Sequence, residues 1–212
     1  MKKLVAGYRR FHARVFPQKR RLYAKLADGQ KPQYLIITCS DSRVQPLEFT
    51  GSNPGDIFEE RCIGNIVPLP GTGEHEAVAA VEYALIALGV KHIIICGHSQ
   101  CGAMKAILDP ESVTLMPVVA AWLKGASKTL EAVERKYGHL EGEELLEATI
   151  RENVLVQLDH LRKQPSVAER LADGRLEVHG WVFDIEHGRV IAYDPRLDRF
   201  VPLTEAYEDL KA

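Results

Sequence analysis

In residues 74–102, EHEAVAAVEYALIALGVKHIIICGHSQCG, the hydrophobic period changes once. Ala77, Val78, Val81, Ala84, Leu85 and Leu88 share one helical face over residues 74–89, and Gly89 suits the left-handed residue that ends a helix. His92-Ile93-Ile94-Ile95-Cys96 then reads as a short buried strand. Upstream, Tyr34-Leu35-Ile36-Ile37-Thr38 is a second such run, stopping at Cys39. Between them, Asn53-Pro54-Gly55-Asp56 makes a turn, and Ile57 to Ile63 reads as a further strand. A strand–helix–strand crossover of this length joins parallel neighbours. The expected fold is therefore α/β, with a central, mostly parallel sheet flanked by helices.

The flanks complete that expectation. Two helical segments open the chain as an N-terminal arm, with a break expected near Phe16-Pro17 and an end at Ala27-Asp28-Gly29. Residues 117–163 read as helices, Val118 to Tyr137 and Glu143 to Lys163, stopped by Pro165, with a short helix over Val167–Leu171. Glu177 to Ile185 and Arg189 to Tyr193 form an antiparallel edge hairpin around Glu186-His187-Gly188. With 212 residues, 46% hydrophobic and 26% charged, the composition excludes disordered and collagen-like chains. One domain over residues 1–212 is expected, divided into a helical arm (1–30) and an α/β core (31–200).

Charge is unevenly spread. Lys and Arg number 27 against 29 Asp and Glu, for a net charge of −2. Residues 1–25 hold nine basic side chains and no acidic one, leaving −11 on the rest. A basic arm on an acidic body suits nucleic acid or an anionic partner. Leu4, Tyr8, Phe11 and Val15 instead favour docking of the arm on an acidic surface, its own or a sister subunit's, because they make an apolar stripe at helical spacing. No apolar run reaches the roughly 18 residues of a membrane span, and the start does not resemble a secretory signal. The expectation is a cytoplasmic protein with no nucleic-acid or membrane partner. Its four cysteines, Cys39, Cys62, Cys96 and Cys101, are then reduced thiols.

Chemistry concentrates at two strand ends. Cys39-Ser40-Asp41-Ser42-Arg43 follows the first strand, and His98-Ser99-Gln100-Cys101-Gly102 follows the third. Open parallel sheets collect ligands at strand carboxyl ends. If the two strands are neighbours, two thiols and an imidazole meet in one crevice. Zinc suits that donor set, with a fourth position left for water. A cysteine nucleophile activated by His98 is the competing chemistry. Cys96 reads as a small buried hydrophobe, while Cys62 ends a strand and stays open between a crevice thiol and a core residue.

Five ordered blocks resemble the β-class carbonic anhydrases: residues 39–44 (CSDSRV), 54–58 (PGDIF), 64–68 (GNIVP), 80–84 (AVEYA) and 96–104 (CGHSQCGAM). The resemblance runs from about Tyr8 to Tyr193. It implies a carbonate dehydratase that reversibly hydrates CO2 to bicarbonate and a proton through zinc-bound hydroxide. Cys39, His98 and Cys101 are its implied zinc ligands. Arg43 would hold the Asp41 carboxylate off the metal, and Asp41 would accept a hydrogen bond from the bound solvent. In the plant-like, open-zinc subtype, positions matching Gln30, Phe58 and Tyr83 line the CO2 pocket from both subunits of a dimer. Ile63 and Gly102 are expected beside that pocket. The other subtype builds a bicarbonate pocket on positions that here are Ile36 and Phe183, so that pocket is not expected. A homodimer or larger homo-oligomer follows from the same resemblance.

One departure is Arg61-Cys62-Ile63-Gly64-Asn65, where the family commonly has Arg-Asn-Ala-Gly-Asn. Ile63 adds bulk near the substrate and keeps carbonyl sulfide or CS2 hydrolysis as an alternative. A non-catalytic binding module is the other alternative. His75, His92, His160, His179 and His187 show no ligand spacing, and His92 and His179 read as structural or surface groups in strands.

Overall fold

In a computed structural model of the chain, residues 1–72 and 75–209 are described. Six strands form one sheet: β1 (Tyr34–Thr38), β2 (Ile57–Arg61), β3 (His92–His98), β4 (Glu177–Asp184), β5 (Arg189–Asp194) and β6 (Arg199–Pro202). Their order is β2-β1-β3-β4-β5-β6. The first four are parallel, and β5 and β6 add antiparallel at one edge. The edge hairpin expected from sequence is therefore β4–β5, and the four-residue β6 extends it.

The chain leaves β1 toward β2 on one side and leaves β3 toward β4 on the other. That reversal opens a crevice between the carboxyl ends of β1 and β3. Leu35, Ile37, Ile93 and Ile95 turn one sheet face into the main core. Ile36, Ile94 and Cys96 turn the other toward Phe49, Ile57, Trp181 and Phe183. This alternation is the period-two pattern of a sheet with both faces covered.

Helix α8 (Gly142–Arg162) lies across the main core face. It buries Leu146, Ile150, Val154, Leu158 and Leu161, as its sequence pattern implies. Two glycines let it approach closely. A Cβ on Gly97 would stand 2.9 Å from Val154, and one on Gly180 would stand 2.8 Å from both Leu158 and Val154.

The remaining helices are α1 (Lys2–Arg10), α2 (Phe16–Ala27), α3 (Pro46–Thr50), α4 (Glu76–Tyr83), α5 (Gly102–Leu108), α6 (Pro117–Leu123), α7 (Ser127–Tyr137), α9 (Pro165–Ala172) and α10 (Leu203–Ala206). Three stretches differ from expectation in an explicable way. The arm does not break at Phe16-Pro17: a π-helical turn over Phe11–Val15 joins α1 to α2. Pro17 has no N–H for the Ala13 carbonyl, and the wider turn absorbs that loss. Expected as one helix, Val118 to Tyr137 is instead α6 and α7 joined by a tight turn at Lys124–Ala126. Gly125 sits there with room for a Cβ only 3.1 Å from Ile66. The helix expected over 74–89 is α4 plus a π-helical turn, Ala84–Leu88, closed by Gly89 at φ 68°; residue 74 lies outside the described residues.

The arm buries no residue in α1 or α2. Leu4 is 70% exposed and Tyr8 63%, so the apolar stripe is uncovered within one chain. Among the described residues, no helix is long and apolar enough to cross a membrane.

Candidate metal centre

Cys39 is the first residue after β1, His98 is the last of β3, and Cys101 immediately precedes α5. Their donor atoms lie within 4.8 Å of one another, and all three residues are buried. The expected convergence of two thiols and one imidazole is present.

The donor set fits zinc on grounds internal to the chain. His98 Nδ1 lies 2.9 Å from the Ser99 carbonyl, which only accepts, so Nδ1 carries the proton. Nε2 is then the bare nitrogen. It is fully buried and has no hydrogen-bond partner among the described residues. A histidine oriented through one nitrogen by a backbone carbonyl, with the other free among thiols, is the usual arrangement of a zinc ligand. A hydrogen bond from the Cys101 thiol, helped by His98, pulls Cys39 down to about 4. The same interaction and burial push Cys101 up. Both sulfurs bind a cation as thiolates, so metal binding takes the place of their protons. Burial raises Cys62 and Cys96 to about 12, which keeps both as thiols. Cys62 donates to the Ile66 carbonyl.

Asp41 and Arg43 stand beside this centre. Arg43 Nε donates to Asp41 Oδ1 at 2.9 Å, and its Nη2 donates to Oδ2 at 2.7 Å. The Arg43 backbone N–H also reaches Oδ1. These bonds hold the Asp41 carboxyl well below the usual carboxylate range. Asp41 Oδ2 lies 3.9 Å from His98 Nε2. Arg43 is tied in turn to the Gln100 carbonyl at 3.3 Å.

Two supports were not legible in the sequence. Arg61 Nη2 reaches the carbonyls of Cys39, Asp41 and Val44 at 3.1, 3.0 and 2.9 Å, so the end of β2 braces the loop after β1. The Gly64 N–H points at Cys39 Sγ (3.4 Å), while Asn153 on α8 donates to the Gly64 carbonyl at 3.0 Å. A lone Arg at the carboxyl end of a parallel strand was the available signal for the first. A polar residue in the apolar stripe of α8 was the signal for the second.

Ile63 is 41% exposed, and Gly102 is exposed directly after Cys101. Gln30 is not with them. It lies in exposed chain ahead of β1, whereas Cys39 follows that strand, about 15 Å further along. Phe58 pairs with Leu35 near the start of β1, and its ring contacts Tyr83 at 5.9 Å. Within one chain, Gln30, Phe58 and Tyr83 are thus toward the opposite end of the sheet from the thiols.

An open, mostly parallel sheet carrying two cysteines and a histidine at its switch point defines a class, the α/β proteins with a Cys2His centre suited to zinc. Comparison with known proteins narrows it. The family model "Carbonic anhydrase" matches residues 34–190. A carbonic anhydrase of Synechocystis is 45% identical over 202 residues, covering 95% of this chain and 74% of that protein. One from Pseudomonas aeruginosa is 43% identical, covering 97% and 93%. The solved β-carbonic anhydrase CcaA superposes with TM-score 0.93 at 45% identity, over 95% of this chain and 98% of that one. A tetrameric β-carbonic anhydrase of Sordaria macrospora gives 0.82 at 31% identity, over 90% and 95%. The chain belongs to the carbonic anhydrase family, in its β class.

Proposed function

We propose that the chain is a zinc-dependent carbonate dehydratase, interconverting CO2 and bicarbonate with release of a proton. The observation that carries this is His98 Nε2, buried and unpartnered between two thiols, with the Asp41–Arg43 pair alongside. Cys39, His98 and Cys101 are the residues that hold the zinc. A zinc ion there supplies Lewis acidity that makes water nucleophilic near neutral pH.

The chain's own groups do the rest. Asp41 Oδ2 accepts a hydrogen bond from the attacking water and so aims its oxygen lone pair at the carbon of CO2. Arg43 keeps Asp41 ionised and engages both its oxygens, so Asp41 would stay off a zinc held by the three ligands, which supports the plant-like, open subtype. Ile63 and Gly102 border the crevice from the same chain. Gln30, Phe58 and Tyr83 reach it from a second copy: β2 is an edge strand, and antiparallel pairing across a two-fold axis sets the start of one β2 beside the end of the other. The uncovered arm stripe supports the same homodimer, or a larger assembly built from it. Gln30 then donates to a bicarbonate oxygen, and the two rings wall the CO2 side.

We read residues 1–30 as the dimerising arm and residues 31–200 as the catalytic core, in the cytoplasm, where the three ligands stay reduced. The test is zinc-loaded protein given CO2, carbonyl sulfide and CS2 in parallel. Turnover of CO2 with little turnover of the sulfur compounds supports the proposal; the reverse preference overturns it and points to Ile63.

A further inference from the structure

A second group of donors lies at the other end of the sheet. His92 opens β3 and Glu177 opens β4, and the two pair directly across the parallel ladder. His179 is two residues beyond Glu177, so it projects to the same face. The cluster is about 20 Å from the thiols, since β3 runs from His92 to His98.

The spacing of the three donor atoms is specific. His92 Nδ1 lies 3.2 Å from His179 Nε2. Glu177 Oε2 lies 3.9 Å from the first and 3.8 Å from the second. A single point stands about 2.1 Å from all three, which is the length of a zinc–imidazole or zinc–carboxylate bond. Two further contacts hold the rings in place. The Tyr207 hydroxyl is 2.9 Å from His179 Nδ1 and receives the Trp181 indole N–H at 3.2 Å. Tyr34 stacks on His92 with ring centroids 5.4 Å apart. The outer contact to Nδ1 leaves Nε2 as the inward-facing atom of His179, the arrangement that metal-binding histidines show.

We propose that His92, Glu177 and His179 form a second metal site, for a divalent first-row cation of the zinc type. Two imidazoles and one carboxylate select such a cation over calcium or magnesium, which take oxygen ligands. In the metal-free chain, one proton is shared between His92 Nδ1 and His179 Nε2. The cation displaces that proton, and Glu177 offsets part of its charge. Solvent completes the coordination, because Glu177 is 70% exposed.

The experiment is a cobalt(II) titration of the zinc-loaded protein, followed by absorption. Cobalt on thiolates gives an intense sulfur-to-metal charge-transfer band, whereas cobalt on nitrogen and oxygen gives only weak d–d bands. The expected result is one further equivalent bound per chain with d–d bands and no thiolate band. Affinity for that equivalent should fall at least about tenfold in Glu177→Gln and His92→Gln, and about tenfold in the milder Tyr207→Phe. CO2 hydration should be unchanged in all three. Failure of the wild-type protein to take a second equivalent overturns the site. So does uptake that brings up the thiolate band, or uptake that the substitutions leave as tight as before.

Discussion

Arg43 engages both carboxylate oxygens of Asp41, and this bidentate grip sets what Asp41 does beside the metal centre. A free carboxylate 3.9 Å from His98 Nε2 would itself be a metal ligand. The proposed role of Asp41, accepting a hydrogen bond from water, rests on this grip by Arg43. Arg43→Ala should lower kcat/KM for CO2 by about 100-fold or more, the scale of a lost positioning contact. Zinc content should be retained. Unfolding free energy should change by less than about 1 kcal/mol, because Arg43 is half exposed. The checks are stopped-flow kinetics, metal analysis and urea melts on one preparation.

Arg61 braces the ligand loop through three carbonyls from a single nitrogen. Arg61→Leu should destabilise the fold by about 1–3 kcal/mol through those unsatisfied acceptors. Zinc should also leave faster, as read by a chromogenic chelator. A variant with wild-type zinc release would separate Arg61 from the centre.

Gly64 has φ 74°, and a Cβ there would stand 3.0 Å from that of Ala103. Gly64→Ala should cost about 1–3 kcal/mol, from the left-handed backbone and the close contact together. Moving the Gly64 N–H away from Cys39 should also weaken zinc retention. Thermal melts with and without chelator measure both.

His160 is buried on α8 and donates through Nδ1 to the Val67 carbonyl at 2.8 Å. Burial lowers its pKa below the ordinary 6.5. Between the lowered value and 6.5 the unfolded chain binds more protons than the folded one, so stability rises with pH across that window. Acidification from pH 7 should therefore lower the urea midpoint as pH passes below 6.5. In His160→Gln this part of the slope should be lost.

The strands and the metal centre were legible because each depends on local pattern. Ile36-Ile37 and Ile93-Ile94-Ile95 mark buried strands, and the donor residues follow their ends directly. The brief helix α5, beginning just after Cys101, and the four-residue β6 carry too little period to read. The meeting of His92 with His179 was hidden for another reason. Both look like isolated strand residues, and only the register of β3 on β4 brings them within 3.2 Å. Gln30, Phe58 and Tyr83 were named through the family resemblance alone, since no local period or spacing links them to the thiols.

Zinc-dependent CO2 hydration at this centre is best measured by stopped flow, at mildly alkaline pH, on protein with measured zinc content, beside Cys39→Ala. Fast hydration in proportion to bound zinc is expected, abolished together with the zinc in Cys39→Ala. Protein with one zinc per chain held at this centre and no hydration above the uncatalysed rate would contradict it.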